Sequence, residues 1–200
     1  MTFNAAEKHQ SQVPALQLLV GLGFTPLSQD EALRLRGGRL RNVVLDDVLA
    51  EQLMRINRFT HRGREYGFDL EDAHEAMRRL KPTPDRLKGL RGTNQDIYDT
   101  LVLGTTITKS IDGDSKSYSF RYIDWERPGN NVFHVTAEFS VERTASSQTK
   151  RCDIVAFVNG IPILVIENKR PTESLKKADS QLIGYQNEDN IPQLFHFAQL

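Results

Sequence analysis

The 200-residue sequence contains a single cysteine, Cys152, which excludes an internal disulfide and any zinc site built on several thiolates. No apolar run approaches the roughly eighteen residues that cross a bilayer. The N-terminus, Met1-Thr2-Phe3-Asn4-Ala5-Ala6-Glu7-Lys8, lacks the basic segment and apolar stretch of a signal peptide. The expectation is a soluble cytoplasmic protein without a membrane partner. Charge of one sign is also missing: 26 Lys and Arg balance 26 Asp and Glu, so no general pull draws the chain to a polyanion. No Gly-x-x-x-x-Gly-Lys-[Ser/Thr] loop occurs, which excludes ATP binding by that route. The five histidines, His9, His61, His74, His134 and His196, show no metal-ligand spacing and read as surface or core residues.

What is present is uneven. Arg34, Arg36, Arg39 and Arg41 fall within eight residues free of acid, and Lys169, Arg170, Lys176 and Lys177 cluster later. On charge alone a solvated face and a phosphate track both fit such clusters. The first part of the chain carries helical periodicity. Asn4 and Glu7 have capping-box spacing, and Val13, Leu16, Leu19 and Val20 share a helical face, with Pro14 either starting or kinking the helix. Val44 to Ile56 and Leu70 to Leu80 repeat the pattern until Lys81-Pro82-Thr83-Pro84 breaks it, and 94–103 fits one more short helix. The second half changes period. Segments 117–125, 132–141, 152–158 and 161–167 read as strands, and a helix over 173–185 follows. This order predicts an α/β fold, with residues 1–110 mainly helical and 111–200 forming the sheet core. Leu200 falls inside an apolar run without a cap or polar tail, as in a fragment of something longer.

The chemistry concentrates at one hairpin. Asn159-Gly160 separates two apolar runs, the strongest short-range turn signal in the chain. Asp153 enters the hairpin, and Glu167 and Lys169 leave it. Residues two apart on a strand share a face, so Glu167 and Lys169 can point into one site. A two-residue turn pairs Val158 with Ile161 and sets Asp153 opposite Ile166, which would put the two carboxylates on opposite faces. Convergence therefore requires a three-residue loop or an equivalent bulge. Once converged, two carboxylates offer hard oxygen ligands suited to Mg²⁺, and the adjacent Lys169 can orient or deprotonate a water attacking a phosphodiester. By itself Glu-x-Lys carries almost no information, and a charged strand end is ordinarily a solvated one.

These residues resemble the PD-(D/E)xK nuclease superfamily and, more narrowly, the N-terminal endonuclease domain of the type I restriction enzyme R subunit. The similarity runs through Asp153-Ile154-Val155-Ala156-Phe157-Val158-Asn159-Gly160-Ile161-Pro162 and Val165-Ile166-Glu167-Asn168-Lys169-Arg170-Pro171. Gln181 and Tyr185 supply the family's Gln-x-x-x-Tyr on the following helix, and Ile191 to Phe195 continues the match. The family's proline-aspartate pair departs here, because Cys152 precedes Asp153. The resemblance implies a restriction-endonuclease-like mixed β-sheet core flanked by helices, behind a helical N-terminal region. It implies Asp153, Glu167 and Lys169 as the catalytic set. Asp153 and Glu167 would bind Mg²⁺ with the Asn168 carbonyl, and Glu7 would serve as either a further metal ligand or a helix cap. Gln181 and Tyr185 would position DNA or the active site. It implies double-stranded DNA as substrate, with methylase and specificity subunits as partners and ATP used only by a motor outside these residues. A stand-alone repair or junction nuclease and a non-catalytic assembly module remain alternatives. Cys152 reads as a small buried residue, and Trp125 as a core or interface residue.

Overall fold

The computed structural model describes residues 12–83, 88–168 and 175–200, with backbone alone at 175–178. Helices begin where local chemistry satisfies their first amides. Pro14 lies in the first turn of α1 (Val13–Gly21), where a missing N–H costs nothing, so it starts that helix rather than kinking it. Ser28 and Glu31 close a reciprocal cap on α2 (Gln29–Leu35), with the Glu31 amide donating to Ser28 Oγ at 3.2 Å and the Ser28 amide to Glu31 Oε2 at 2.9 Å. The run expected from Val44 becomes helical at α3 (Asp46–Ile56). Asp69 and Asp72 repeat the reciprocal cap on α4 (Leu70–Leu80), which ends where the Lys81-Pro82 break was expected. The helix expected over 94–103 starts earlier, as α5 (Gly89–Leu103), with the Lys88 amide donating to Thr93 Oγ1 at 3.0 Å. The capping box expected at Asn4 and Glu7 lies outside the described residues.

The central sheet has four strands in the order β1 (Thr25–Leu27), β6 (Phe133–Glu142), β7 (Thr149–Val158) and β8 (Ile161–Ile166). β1 runs parallel to β6, and the other pairs are antiparallel. The mixed sheet flanked by helices is therefore as expected. Within the stretch expected to be mainly helical, the structure also contains β1 and a separate hairpin of β2 (Arg58–His61) and β3 (Arg64–Gly67). A second separate hairpin joins β4 (Thr105–Ile111) to β5 (Asp114–Phe120). Their turns, Arg62-Gly63 and Asp112-Gly113, hold both residues at positive φ, the backbone that matches strand twist. The strand expected over 117–125 stops at Phe120; Tyr122 turns into the core and donates its hydroxyl to the Ala76 carbonyl at 2.7 Å. Two helices follow the sheet, α6 (Leu175–Tyr185) and α7 (Pro192–Phe195).

Each face of the sheet buries its own apolar set. Val135, Ile154 and Ala156 meet Leu19 of α1 on one face. On the other, Val155, Phe157, Ile161 and Val165 join the main core with Leu49, Leu53, Ala76, Met77 and Ile97. Of the arginine run, Arg36 is neither solvated nor a phosphate contact. It is 2% exposed, donates to the Asn42 and Ser140 carbonyls, and stacks 4.3 Å over the Phe139 ring. Burial lowers its guanidinium to about 10, still charged at neutral pH.

The Asn159-Gly160 turn holds the hairpin and the core together. Both residues have positive φ, 51° and 82°. Unlike a surface turn, this one is buried. Asn159 donates to the Tyr122 carbonyl at 3.0 Å and to Asn131 Oδ1 at 2.8 Å, and its own Oδ1 accepts the Val132 amide at 2.9 Å. The Gly160 carbonyl accepts the Leu45 amide at 2.8 Å, one residue before α3. A Cβ at Gly160 would stand 2.6 Å from the Leu45 carbonyl oxygen. Asn159→Ala, which removes three hydrogen bonds around the buried turn, is expected to cost about 2–4 kcal/mol. Gly160→Ala should cost at least about 1 kcal/mol from its backbone alone, and more from the clash. Denaturant midpoints of both variants test this; an unchanged midpoint in either would refute the buried-turn account.

Candidate active site

The register of β7 against β8 changes partway along the hairpin. Val158 pairs with Ile161 and Phe157 with Pro162, as a two-residue turn requires. Beyond them Ala156 pairs with Leu164, Val155 with Val165 and Ile154 with Ile166, so Ile163 is an extra residue on β8. This is the β-bulge that convergence demanded, placed within the strand and not at the turn. The ladder ends at Ile154 and Ile166, and the same register carried one residue further sets Asp153 opposite Glu167. Both lie two residues beyond Val155 and Val165, which face the main core.

Two details explain why the bulge sits there. Pro162 has no N–H to give a ladder and is tolerated beside an irregularity. The carbonyl of Ile163 accepts the Gln199 amide at 2.8 Å and the Leu200 amide at 3.1 Å, and the Leu200 carbonyl accepts the Val165 amide at 3.1 Å. Residues 199 and 200 thus bind the outer edge of β8 across the bulge.

Around the carboxylates the partners are specific. The Asn168 amide donates to Asp153 Oδ2 at 2.7 Å. Gln181 Nε2 donates to Glu167 Oε2 at 2.7 Å and to the Tyr185 hydroxyl at 2.6 Å, and that hydroxyl donates to the Arg151 carbonyl at 3.3 Å. Gln181 and Tyr185, one turn apart on α6, therefore tie this helix to both site strands. Burial, reinforced by the Glu167 charge, pushes the Tyr185 hydroxyl well above its ordinary range, so it remains a donor at any working pH. Gln12, at the start of α1, is 6% exposed and donates Nε2 to the Asp153 carbonyl at 2.9 Å. Sequence reasoning missed this residue, because a contact across 141 positions leaves no local signal.

The structure thus brings together Asp153, Glu167, Asn168, Gln181 and Tyr185. Lys169 and Glu7 lie outside the described residues. Asp153 Oδ1 has no hydrogen-bond partner among the described residues, and the donors are hard oxygens of the type a magnesium ion prefers. No group of three His, Cys, Asp or Glu side chains converges among the described residues. The protein donor set there is the two carboxylates, to which the Asn168 carbonyl could add. A cleft of about 670 Å³ lies elsewhere, lined by Val44, Leu90, Gln193, His196 and Phe197 among others, and contains neither carboxylate. Trp125 is exposed with its indole N–H on the Leu101 carbonyl at 2.9 Å, and so is no core residue. No described helix is long and apolar enough to cross a membrane.

Compared with known families, the chain matches the N terminus of the type I restriction enzyme R protein over residues 4–200. The chain belongs to this family. Among individual relatives, the type I restriction enzyme HindI endonuclease subunit of Haemophilus influenzae is 29% identical over 147 residues, 65% of this chain and 14% of that protein. A Methanocaldococcus jannaschii protein provisionally named as the MjaIXP endonuclease subunit is 32% identical over 104 residues, 52% of this chain and 10% of its own length. A second protein of that organism, provisionally the MjaVIIIP endonuclease subunit, is 28% identical over 171 residues, 82% of this chain and 15% of its own. The matched regions thus span between a tenth and a sixth of these relatives.

Within this R-protein N-terminal fold, Cys152 is fully buried. Burial, followed by the charges of Glu167 and Asp153, raises its thiol well above the ordinary range. It should therefore be inert as a nucleophile and label with a thiol reagent only when the chain unfolds. Rapid labelling under native conditions would contradict the packing described here.

Proposed function

We propose that this chain is a Mg²⁺-dependent DNA endonuclease domain that hydrolyses phosphodiester bonds as part of a type I restriction enzyme. The observation that carries the reading is the bulged register that pairs Ile154 with Ile166; carried one residue further, it sets Asp153 opposite Glu167. A register without Ile163 as an extra residue would have left Ile166 in that place and no site at all. The names of the relatives, all endonuclease subunits, support the same reading.

The division of labour follows from the contacts. Asp153 and Glu167, with the Asn168 carbonyl, would hold the metal. When bound, magnesium supplies charge neutralisation at the phosphate and a more acidic water. The Asn168 amide fixes Asp153 Oδ2, leaving Oδ1 to point toward the ligand. Gln181 fixes Glu167 from the helix side. Lys169, two residues after Glu167, is the group we assign to orienting the attacking water, with its Nζ taking or sharing the proton. Gln12 is a positioning residue that steadies the Asp153 backbone. We further propose that duplex DNA is delivered by a motor and by methylase and specificity subunits outside this chain.

Calorimetric titration with Mn²⁺ should show binding to this chain that Asp153→Asn removes. In the assembled restriction enzyme, Asp153→Asn should abolish cleavage and spare ATP hydrolysis. Gln181→Ala should lower metal affinity or cleavage about 10–100-fold. Cleavage that survives Asp153→Asn would refute the assignment.

A further inference from the structure

Four exposed arginines, Arg55, Arg58, Arg121 and Arg127, line one cleft of about 390 Å³ that contains neither carboxylate. We propose that this cleft is a second contact for the phosphodiester backbone of duplex DNA, remote from the cutting site; the inference rests on the DNA-cleaving reading above.

The first argument is charge that the protein itself leaves available. Arg55 is engaged with the Asn130 carbonyl at 3.0 Å, and Arg121 with Asp124 at 2.9 Å. The guanidinium groups of Arg58 and Arg127 make no ion pair or hydrogen bond among the described residues. Two acids also line the cleft. Asp124 is 4% exposed, and its carboxylate is already occupied by Asn130 Nδ2 at 2.8 Å, the Arg127 amide at 3.1 Å and Arg121. It organises the loop and offsets only one arginine. The side chain of Glu126 is 82% exposed, 3.6 Å from Arg121, and free to swing into solvent. Planar guanidinium groups with spare donors match phosphate oxygens.

The second argument is rigidity. The loop that carries Arg121, Arg127 and Asn130 is tied through Asn131 to Asn159, the buried turn of the site hairpin. A cleft held this way loses little conformational freedom when it binds, unlike a solvated arginine patch. The third is placement. Asp153 and Val158 are five steps apart along β7, a span of about 17 Å at roughly 3.3 Å per residue. The loop that lines the cleft thus meets the turn end of the hairpin whose other end carries Asp153, and a duplex carries a phosphate charge about every 1.7 Å along its axis.

The test is fluorescence anisotropy of labelled duplex DNA with this chain in EDTA over a salt series, where no metal contributes. The double variant Arg58→Ala/Arg127→Ala should bind more weakly and reduce the slope of log affinity against log salt by about 2. Arg58→Lys/Arg127→Lys should keep most of the slope, which a purely structural role would not predict. Both positions are exposed, so the melting temperature should not change. An unaltered slope in the alanine pair, or no binding by the unsubstituted chain, overturns the proposal and would fit instead an acidic protein partner. Mn²⁺ titration at Asp153 reads the nuclease assignment separately, so either proposal can fail alone.

Discussion

One extra residue in a six-residue strand governs the chemistry of this protein. The Asn159-Gly160 turn imposes a two-residue register on β7 and β8, and that register alone would split Asp153 and Glu167 between the two faces of the sheet. Ile163 shifts it by one and brings them to one face. The turn and the bulge therefore act as a pair, the first fixing the hairpin in the core and the second correcting its output. Each is secured from outside the hairpin. The turn is held by Asn131, Tyr122 and Leu45, and the bulge by residues 199 and 200 on the edge of β8.

That arrangement explains why the site needs remote segments. A carboxylate at a strand end would ordinarily swing with solvent, and Asp153 does not, because the Asn168 amide holds its side chain and Gln12 holds its backbone. Glu167 is held from α6 by Gln181, which in turn depends on Tyr185 and the Arg151 carbonyl. Three elements far apart in sequence converge on two side chains. The apolar strand positions between them, Val155 and Val165, contribute rigidity by burial on the core face.

Much of this was legible in the sequence, and the reasons differ by element. α4 was readable to the residue, because its periodicity and its proline break are both local signals. The strands β6 to β8 were readable because buried strands are dense in β-branched residues. The hairpin β2–β3 was not, since its strands are short and polar, as in Arg64–Gly67, and of the β4–β5 hairpin only the second half of β5 fell within the strand expected over 117–125. Asp112-Gly113 was nonetheless the same kind of turn signal as Asn159-Gly160. At the site, the need for a bulge followed from counting residues, while its position did not. Pro162 was the available clue, since a proline inside a strand points to an irregular ladder. Gln12 had no clue at all, because its role exists only once α1 lies against β7.

The same contrast separates Arg36 from Arg58 and Arg127. In sequence, Arg36 belonged to the most conspicuous basic run, yet folding spends it on two carbonyls and an aromatic ring. Arg58 and Arg127 stand 69 residues apart and draw no attention in the sequence. They share a cleft only because β2 and the loop after β5 meet beside the buried turn. Local charge density is thus a poor guide to where a neutral protein keeps usable charge. What decides it is whether the core or a neighbouring acid has already taken the guanidinium, and that is a property of the fold.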